Sequence, residues 1–309
     1  ANAQISVTAA EFRVNTYTSN VQANPSVTVL ADGGYLVTWR SLVQAPDSSS
    51  YGIFAQRYDA WGNTVGAEFL VNTYVTGIQQ LSAVAALADG GFVVTWQSNL
   101  QDGDSYGIYA QRYDAGGNAA GAEFLVNTYT TSLQVAPSVA ALANGGFVIT
   151  WTSSGQDGSG DGIYAQRYDA AGNAVGSEFA VNTFTTSTQS NPSVAALADG
   201  GFIIAWQSIS QDEAPSYGVY AKRYSAEGGA TSAEFLVNTT TLGSQADPAV
   251  TALADGGFVV AWVSGGQDGS SDGIYAQRYD LGGNQVGGEF QVNTTTYLSQ
   301  YAPAIAALA

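Results

Sequence analysis

Short apolar runs alternate with glycine-rich polar segments along the whole chain. A typical unit contains runs such as "SVAALA", "GFVVTW", "GIYAQRYDA" and "EFLVN", with turn-forming residues between them. Short apolar runs bounded in this way predict β-strands rather than helices. The first two runs are apolar at nearly every position, which is typical of strands covered on both faces. The pattern therefore predicts an all-β protein.

The same runs return about every 55 residues. Tryptophan recurs at intervals of 57, 55, 55 and 56 residues, at Trp39, Trp96, Trp151, Trp206 and Trp262. A fixed period of this size predicts a repeat architecture in which each unit packs on its neighbours. We place units at residues 25–79, 80–134, 135–189, 190–245 and 246–300, with partial units at 1–24 and 301–309. The chain is predicted to form one repeat domain over residues 1–309.

Each unit is predicted to form four antiparallel strands. The first two are joined by Asp-Gly in four units and by Asn144-Gly145 in the third, and both dipeptides favour a type I′ hairpin turn. Four strands and a polar connector per unit are typical of a propeller blade. The sequence predicts an all-β β-propeller of four-stranded antiparallel blades, with an open β-repeat array as the alternative.

The two ends of the chain carry pieces of a sixth unit. Glu11–Asn15 has the sequence of a fourth strand, and Pro303–Ala309 has that of a first strand. Together they supply the outer and inner strands of a sixth blade, and Gln4–Ala9 fills part of the gap. A five-bladed ring with loose ends fits the pattern as well. Unpaired strand edges at both ends predict self-association head to tail into a filament.

The third and fourth strands carry one arginine and one glutamate in every complete unit. If the hairpin turns at the Gly-Asn or Gly-Gly pair between them, these two residues lie directly opposite each other. We therefore expect cross-strand ion pairs, at Arg57–Glu68, Arg112–Glu123, Arg167–Glu178, Arg223–Glu234 and Arg278–Glu289.

The loop before the third strand reads "DGSGDG" in the third unit. Carboxylates and a hydroxyl at alternate positions before a glycine suit the oxygen coordination of calcium, the one cofactor that the sequence suggests. The alternative is a polar turn, for which Asp, Gly and Ser are the expected residues. The candidate ligands are Asp157, Ser159, Asp161, Asp268, Ser270, Asp272, Asp102 and Asp104.

The amino-acid composition argues against several classes of function. The chain has no Cys, His or Met, and its 8 basic and 25 acidic residues give a net charge of −17. This balance disfavours nucleic acid and anionic membranes as partners, because both are bound through Lys and Arg. The lack of His and Cys excludes Ser-His and Cys-His nucleophiles, and no apolar run approaches a membrane span. We therefore predict no enzyme and no membrane insertion.

The repeated "DGGFVVTW", "QDGS" and "GIYAQRYDA" resemble the tandem repeats of very large secreted bacterial proteins of the calcium-binding toxin and adhesin type. The resemblance covers nearly the whole chain, although the glycine-rich nonapeptide "GGxGxDxUx" of those proteins is absent. It implies an extracellular or bacterial cell-surface location and a structural or adhesive role. The main prediction is a non-enzymatic extracellular repeat module.

A carbohydrate-binding, lectin-like propeller with an extracellular glycan as its partner is the alternative. Aromatic rings that can stack on sugars follow "VNT" in four connectors, at Tyr17, Tyr74, Tyr129 and Phe184. Residues that break the repeat are further candidates, because a single site must be built from them. These are Arg40, Pro46, Trp61, Pro215 and Lys222.

Overall fold

The computed structural model describes residues 11–212 and 215–307, apart from the side chains of residues 48 and 49. The predicted gap-filling stretch Gln4–Ala9 lies outside these ranges. Every helix or strand element described is a β-strand. The first sheet contains β1 (Gln22–Val29), β2 (Tyr35–Gln44), β3 (Asp47–Tyr58) and β4 (Thr64–Leu70). The second contains β5 (Gln79–Ala86), β6 (Phe92–Asn99), β7 (Tyr106–Tyr113) and β8 (Phe124–Leu125).

Three further sheets repeat this arrangement. The third contains β9 (Gln134–Ala141), β10 (Phe147–Ser154), β11 (Asp161–Tyr168) and β12 (Ala174–Ala180). The fourth contains β13 (Gln189–Ala196), β14 (Phe202–Ile209), β15 (Tyr217–Tyr224) and β16 (Phe235–Leu236). The fifth contains β17 (Gln245–Ala252), β18 (Phe258–Gly265), β19 (Asp272–Tyr279) and β20 (Gln285–Gln291).

The sheets are arranged as blades around an axis. Within each sheet the strands are antiparallel and follow chain order. The first strands of successive sheets pack side by side, β1 on β5, β5 on β9, β9 on β13 and β13 on β17. The predicted propeller of four-stranded antiparallel blades is confirmed.

Six copies of one backbone feature surround the axis. Near the start of each first strand, one residue takes a positive φ of 50° to 54°, and proline follows it in five of the six copies. We call these the bulge residues: Asn24, Leu81, Ala136, Asn191, Asp247 and Ala302. Ala302 and Pro303 line the same axial cavity as the other five pairs. The C-terminal segment therefore occupies the inner position of a sixth blade.

The N-terminal segment occupies the outer position of the same blade. Phe12 packs on Tyr58 with ring centroids 5.6 Å apart, as Phe69 packs on Tyr113 one blade later. The Thr16 N–H donates to Glu68 at 2.8 Å. Among residues 11–212 and 215–307, no strand occupies the two middle positions of this blade. We call this region, between the fifth and first blades, the open boundary, and the other four boundaries closed.

Apolar side chains fill the closed boundaries. Each combines an aliphatic face of one blade with an aromatic face of the next. Between the second and third blades, the aliphatic face consists of Leu87, Val93, Ile108, Ala110 and Val126. The aromatic face packed against it consists of Val139, Phe147, Ile149, Trp151 and Tyr168. Because Trp96, Trp151, Trp206 and Trp262 are completely buried in this way, the tryptophan period marks the blade boundaries.

The connections lie on two faces of the ring. The turns between first and second strands and between third and fourth strands lie on what we call the turn face. The loops between second and third strands lie on the opposite loop face, together with the connectors between blades. Backbone bonds join these loops to the connectors, as from the Asn99 N–H to the Ile78 carbonyl at 2.9 Å.

The Asp-Gly turns differ from the predicted type I′ geometry. Gly145 has a φ of +86°, but Asn144 is not among the residues with positive φ. The hairpin closes through the Leu142 N–H to the Gly146 carbonyl at 2.8 Å and the Gly145 N–H to the Leu142 carbonyl at 3.0 Å. The Asn144 side chain accepts from the Gly146 N–H at 3.0 Å. The loop is longer than a type I′ turn, so only the glycine needs the left-handed conformation.

The predicted arginine–glutamate pairs are wrong. The turn after β3 closes through the Asp59 N–H to the Asn63 carbonyl at 2.9 Å, so Arg57 faces Val65 rather than Glu68. The turn is centred on residue 61, earlier than the Gly62-Asn63 pair. Four arginines instead pair with the aspartate of the first turn: Arg57–Asp32, Arg112–Asp89, Arg223–Asp199 and Arg278–Asp255. Arg167 donates to the carbonyls of Ala226 and Glu227.

The same glutamates form hydrogen bonds between each blade and the preceding one. Glu123 accepts from the Thr73 N–H at 2.6 Å and from the Gln101 amide at 2.5 Å. The same two bonds recur at Glu68, Glu178, Glu234 and Glu289.

Candidate functional site

A cavity of about 510 Å³ lies on the axis of the ring. Five of the six bulge residues are the third residue of a strand that begins on the loop face, so the cavity lies close to that face. Asn24, Asn191 and Asp247 point polar side chains toward solvent here, and the Asn191 amide donates to Asp247 at 2.8 Å. The cavity thus combines a ligand-sized volume with a few convergent polar groups.

The rim of this cavity is built in one way at three closed boundaries. A second-strand side chain accepts a hydrogen bond from the backbone N–H of the next blade's bulge residue. The bonds join Gln97 to Ala136 at 3.0 Å, Thr152 to Asn191 at 3.2 Å and Gln207 to Asp247 at 2.9 Å. These side chains hold the backbone of the lining residues in place.

Between the first and second blades the rim is different. The equivalent side chain is Arg40, which has no acceptor atom and cannot make that bond. Arg40 Nη1 instead donates to the Gln80 side chain, next to the bulge residue Leu81. The guanidinium lies 4.6 Å from the ring centroid of Tyr51, within range of a cation–π interaction. A cation is therefore held, through Gln80, beside the cavity-lining residues Leu81 and Ser82.

The boundary between the first and second blades departs from the repeat at a second position. Ser82 follows the bulge residue where the other five copies have proline. Its hydroxyl lies 2.9 Å from the Thr38 hydroxyl of the preceding blade. Arg40 Nε is buried without a hydrogen-bond partner among the described residues. The rim here presents a guanidinium, an amide and a hydroxyl, all of which bind hydroxyl-rich ligands.

Two tyrosines of the second blade remain protonated at neutral pH. Burial raises the pKa of Tyr106, and the positive charge of Arg40 offsets part of that effect. Burial, followed by the charges of Asp102 and Glu123, raises the pKa of Tyr109. Both phenols are therefore hydrogen-bonding groups here rather than bases.

The predicted calcium ligands form hydrogen-bonded turns. Asp157 accepts from the Ser159 N–H at 3.1 Å, and Asp161 accepts from the Ser154 hydroxyl at 2.6 Å. Asp268 accepts likewise from the Ser270 N–H at 3.0 Å. Asp272 lies at the start of β19. In the part of the chain described, no three acidic side chains converge as a metal site, and calcium in these loops stays a prediction.

In the second unit the loop before the third strand is hydrogen-bonded to the connector that leads to the third blade. Asp104 accepts from the Ser132 N–H at 2.9 Å and from the Ser105 N–H at 2.8 Å, and these bonds lower its pKa. Asp102 accepts from the Asp104 N–H at 3.4 Å, while its second oxygen is buried without a hydrogen bond. The two aspartates order the loop face around the cavity.

The connector aromatics lie apart from the axial cavity. Tyr17, Tyr74, Tyr129 and Phe184 are half-buried, and their backbone carbonyls accept from the asparagine of "VNT". Among the residues that break the repeat, Trp61 is exposed on a turn, and Lys222 donates to the Val181 carbonyl at 3.1 Å. Pro46 and Pro215 lie on loops before the third strand. Of this group, Arg40 is the one that bonds to a residue adjacent to the cavity lining, Gln80.

The bulge residues were missed from the sequence. A usable signal was present, since a variable residue precedes proline at one repeat position in five of six copies. Sequence alone does not say that these variable positions meet on an axis, because each lies in a different blade.

No protein-family model and no curated protein matches the chain. Several solved structures match the chain. An α-L-arabinanase from Penicillium chrysogenum, complexed with arabinobiose, is 16% identical with a TM-score of 0.62, over 94% of this chain and 85% of that one. An α-L-arabinofuranosidase from Fusarium graminearum, with an iminosugar inhibitor, is 14% identical with a TM-score of 0.61, over 94% and 85%. An ulvan lyase is 12% identical with a TM-score of 0.59, over 90% and 74%.

These similarities establish the fold and correct two expectations. The predictions of a non-enzymatic structural or adhesive module and of no enzymatic activity are corrected, because the three propellers named above, which share this fold, are an arabinanase, an arabinofuranosidase and an ulvan lyase. The filament has no support in the described residues. The structure holds no helix with the length and hydropathy of a membrane span among the residues described.

Proposed function

We propose that this propeller acts on glycans and binds an oligosaccharide in the axial cavity, at the rim formed by Arg40, Gln80 and Ser82. The observation that carries the proposal is this divergent rim, since among the four closed boundaries it is the one without the shared hydrogen bond to the bulge residue. A ring of near-identical units needs one position that differs in order to orient an asymmetric ligand. The similarity to arabinobiose-binding propellers supports a saccharide ligand.

The net charge of the chain limits the class of glycan that can bind. A net charge of −17 repels polyanionic chains, and the exposed polar side chains of the cavity are two amides and one carboxylate. We infer a neutral oligosaccharide whose hydroxyls pair with Asn24, Asn191 and Arg40. Such a ligand fits the extracellular or cell-surface location that the sequence predicts.

Cleavage of the bound glycan is the second candidate. Asp247 is the one acidic residue among those that line the axial cavity. Hydrolysis by two carboxylates needs a second one about 5 to 10 Å away, and the cavity lining does not supply it. Replacement of Asp247 by Asn therefore separates binding from any acid–base step.

The test is calorimetric titration with a panel of neutral oligosaccharides that includes arabinobiose. We expect Arg40→Gln to weaken binding at least tenfold with an unchanged melting temperature, since Gln97 and Gln207 show that glutamine fits this position. Arg112→Gln, on the turn face, is the matched control and should leave affinity unchanged. A wild-type chain that binds none of the panel contradicts the proposal.

Activity is measured on the glycans that bind. Release of reducing ends reports hydrolysis, and ultraviolet absorbance of unsaturated products reports elimination. If Asp247→Asn binds normally but releases nothing, Asp247 carries the chemistry. Binding without any cleavage by the wild type restricts the function to recognition.

A further inference from the structure

One of the bulge residues that line the axial cavity has a large apolar side chain. In order around the axis, the bulge residues are Asn24, Leu81, Ala136, Asn191, Asp247 and Ala302. Three of them carry an amide or a carboxylate, and two carry only a methyl group. Leu81 is the exception, and it lies between Gln80 and Ser82, whose side chains form the divergent rim. A ligand bound at this rim therefore meets Leu81.

The backbone conformation of Leu81 is unfavourable for leucine. Its φ of 53° lies in the left-handed region, which disfavours bulky side chains and tolerates asparagine and aspartate. Asn24, Asn191 and Asp247 adopt the same conformation, with φ of 50° to 53°. On conformational grounds alone, asparagine would suit position 81 better than leucine. A strained residue beside a ligand cavity points to a role in binding rather than in folding.

The side chain of Leu81 shares the cavity with the polar side chains. All six bulge residues have nearly the same φ, between 50° and 54°. The side chains of Asn191 and Asp247 meet at 2.8 Å where they line the cavity. The Leu81 side chain leaves its strand in the same direction, and the residue is half-buried in the cavity lining. The cavity therefore has an apolar patch next to the rim that Arg40 helps to form.

Polar groups lie across the cavity from this patch. Leu81 and Asp247 are three positions apart among the six bulge residues, so they lie on opposite sides of the axis. Asn191 is bonded to Asp247, and both residues are exposed. A neutral saccharide that fills the cavity can direct hydroxyls toward Asp247. A hydroxyl directed toward Leu81 would lose water without gaining a hydrogen bond from the leucine, which weakens binding.

We propose that Leu81 selects a deoxy sugar, in which a methyl group replaces the exocyclic hydroxymethyl group. The methyl group packs on Leu81, and hydroxyls of the same sugar bond to the Arg40 guanidinium and the Gln80 amide beside it. This inference rests on the proposed function, since it names the class of saccharide bound at the same rim. A contact of this size in an apolar pocket discriminates about tenfold or more between ligands. Leu81 is therefore a specificity-determining residue.

The experiment titrates the full chain with two matched pairs of neutral disaccharides. One pair ends in L-fucose or L-galactose, and the other ends in L-rhamnose or L-mannose. The members of a pair differ only in a methyl or a hydroxymethyl group. We expect the wild type to bind the deoxy member at least tenfold more tightly in at least one pair. Arabinobiose is titrated in the same series to test the proposed function separately.

Three variants assign the preference to its residue. Leu81→Asn should bring the affinity ratio within the pair to about one, with no loss of melting temperature, because Asn24 and Asn191 show that asparagine adopts this conformation. Leu81→Met keeps an apolar side chain and should keep the ratio. Leu100→Asn is the matched control. Leu100 also has a left-handed φ, of 61°, but it is exposed in the loop between β6 and β7 and does not line the cavity, so affinity and ratio should not change.

Four outcomes overturn the inference. The first is equal binding within both pairs, or tighter binding of the hydroxymethyl member. The second is a methyl preference that persists in Leu81→Asn, which assigns it to another residue. The third is binding of arabinobiose but of neither deoxy disaccharide, which leaves the proposed function intact. The fourth is a wild-type chain that binds no neutral oligosaccharide, which overturns the proposed function as well.

Discussion

Several repeat positions are buried at the closed boundaries and exposed at the open boundary. Val126 is 3% exposed at a closed boundary, whereas Val292, at the same position, is 51% exposed at the open one. The repeat therefore determines which positions carry apolar side chains. Those side chains stabilise the fold only where a neighbouring blade buries them. Boundary contacts are the units in which the stability of such a repeat protein adds up.

The largest predicted difference comes from a charge at this pair of positions. Val126→Asp places an unpaired carboxylate in a closed boundary and should reduce the free energy of unfolding by about 4 kcal/mol. Val292→Asp should cost about 0.5 kcal/mol, because its carboxylate remains hydrated. Urea unfolding at neutral pH measures both. Equal losses would mean that the open boundary is covered in solution.

A smaller difference is expected at the glutamates that join the blades. Glu123→Ala removes the bonds to the Thr73 N–H and the Gln101 amide and should cost about 1 to 2 kcal/mol. Glu11 is at the same repeat position beside the open boundary and is exposed. Glu11→Ala should change stability by less than about 0.5 kcal/mol. Thermal unfolding of the two variants compares them, and a costly Glu11→Ala would contradict the assignment of the open boundary.

The smallest predicted effect is a loss of stability that is absent at neutral pH and appears only at alkaline pH. Burial in the closed boundaries raises the pKa of Tyr113, Tyr168 and Tyr224, and raises that of Tyr279 to about 12. A raised pKa in the folded state gives stability that is complete below the unfolded value, near pH 10, and is lost as the pH rises toward the folded value. Stability should therefore fall above about pH 10.

Tyr113→Phe should flatten this alkaline fall, and Tyr297→Phe is the control because Tyr297 is 77% exposed at the open boundary. Urea midpoints measured from about pH 8 to about pH 11 test the prediction. An identical slope in Tyr113→Phe and the wild type would show that buried tyrosines do not control alkaline unfolding.

The sequence alone determined the strand content, the repeat and the blade. Continuous apolar runs, glycine turns and the tryptophan interval are local or evenly spaced signals, and each has a direct structural consequence. The assignment of Glu11–Asn15 and the segment from Pro303 to one incomplete blade also came from the repeat phase, and Phe12 on Tyr58 places the first of them. Arg40 was found because it breaks a pattern that neighbouring units keep.

Tertiary structure decided the contacts between blades and therefore the site. The expected Arg57–Glu68 pair failed because the turn is centred on residue 61 rather than between residues 62 and 63, which moves the partner of Arg57 from Glu68 to Val65, and sequence does not fix the turn conformation to that accuracy. Glu68 bonds to Thr16 across a boundary, 52 positions away. The axial cavity gathers a pair of neighbouring residues from each of six positions, so its existence follows from the arrangement of the blades around the axis, a property that no single repeat encodes.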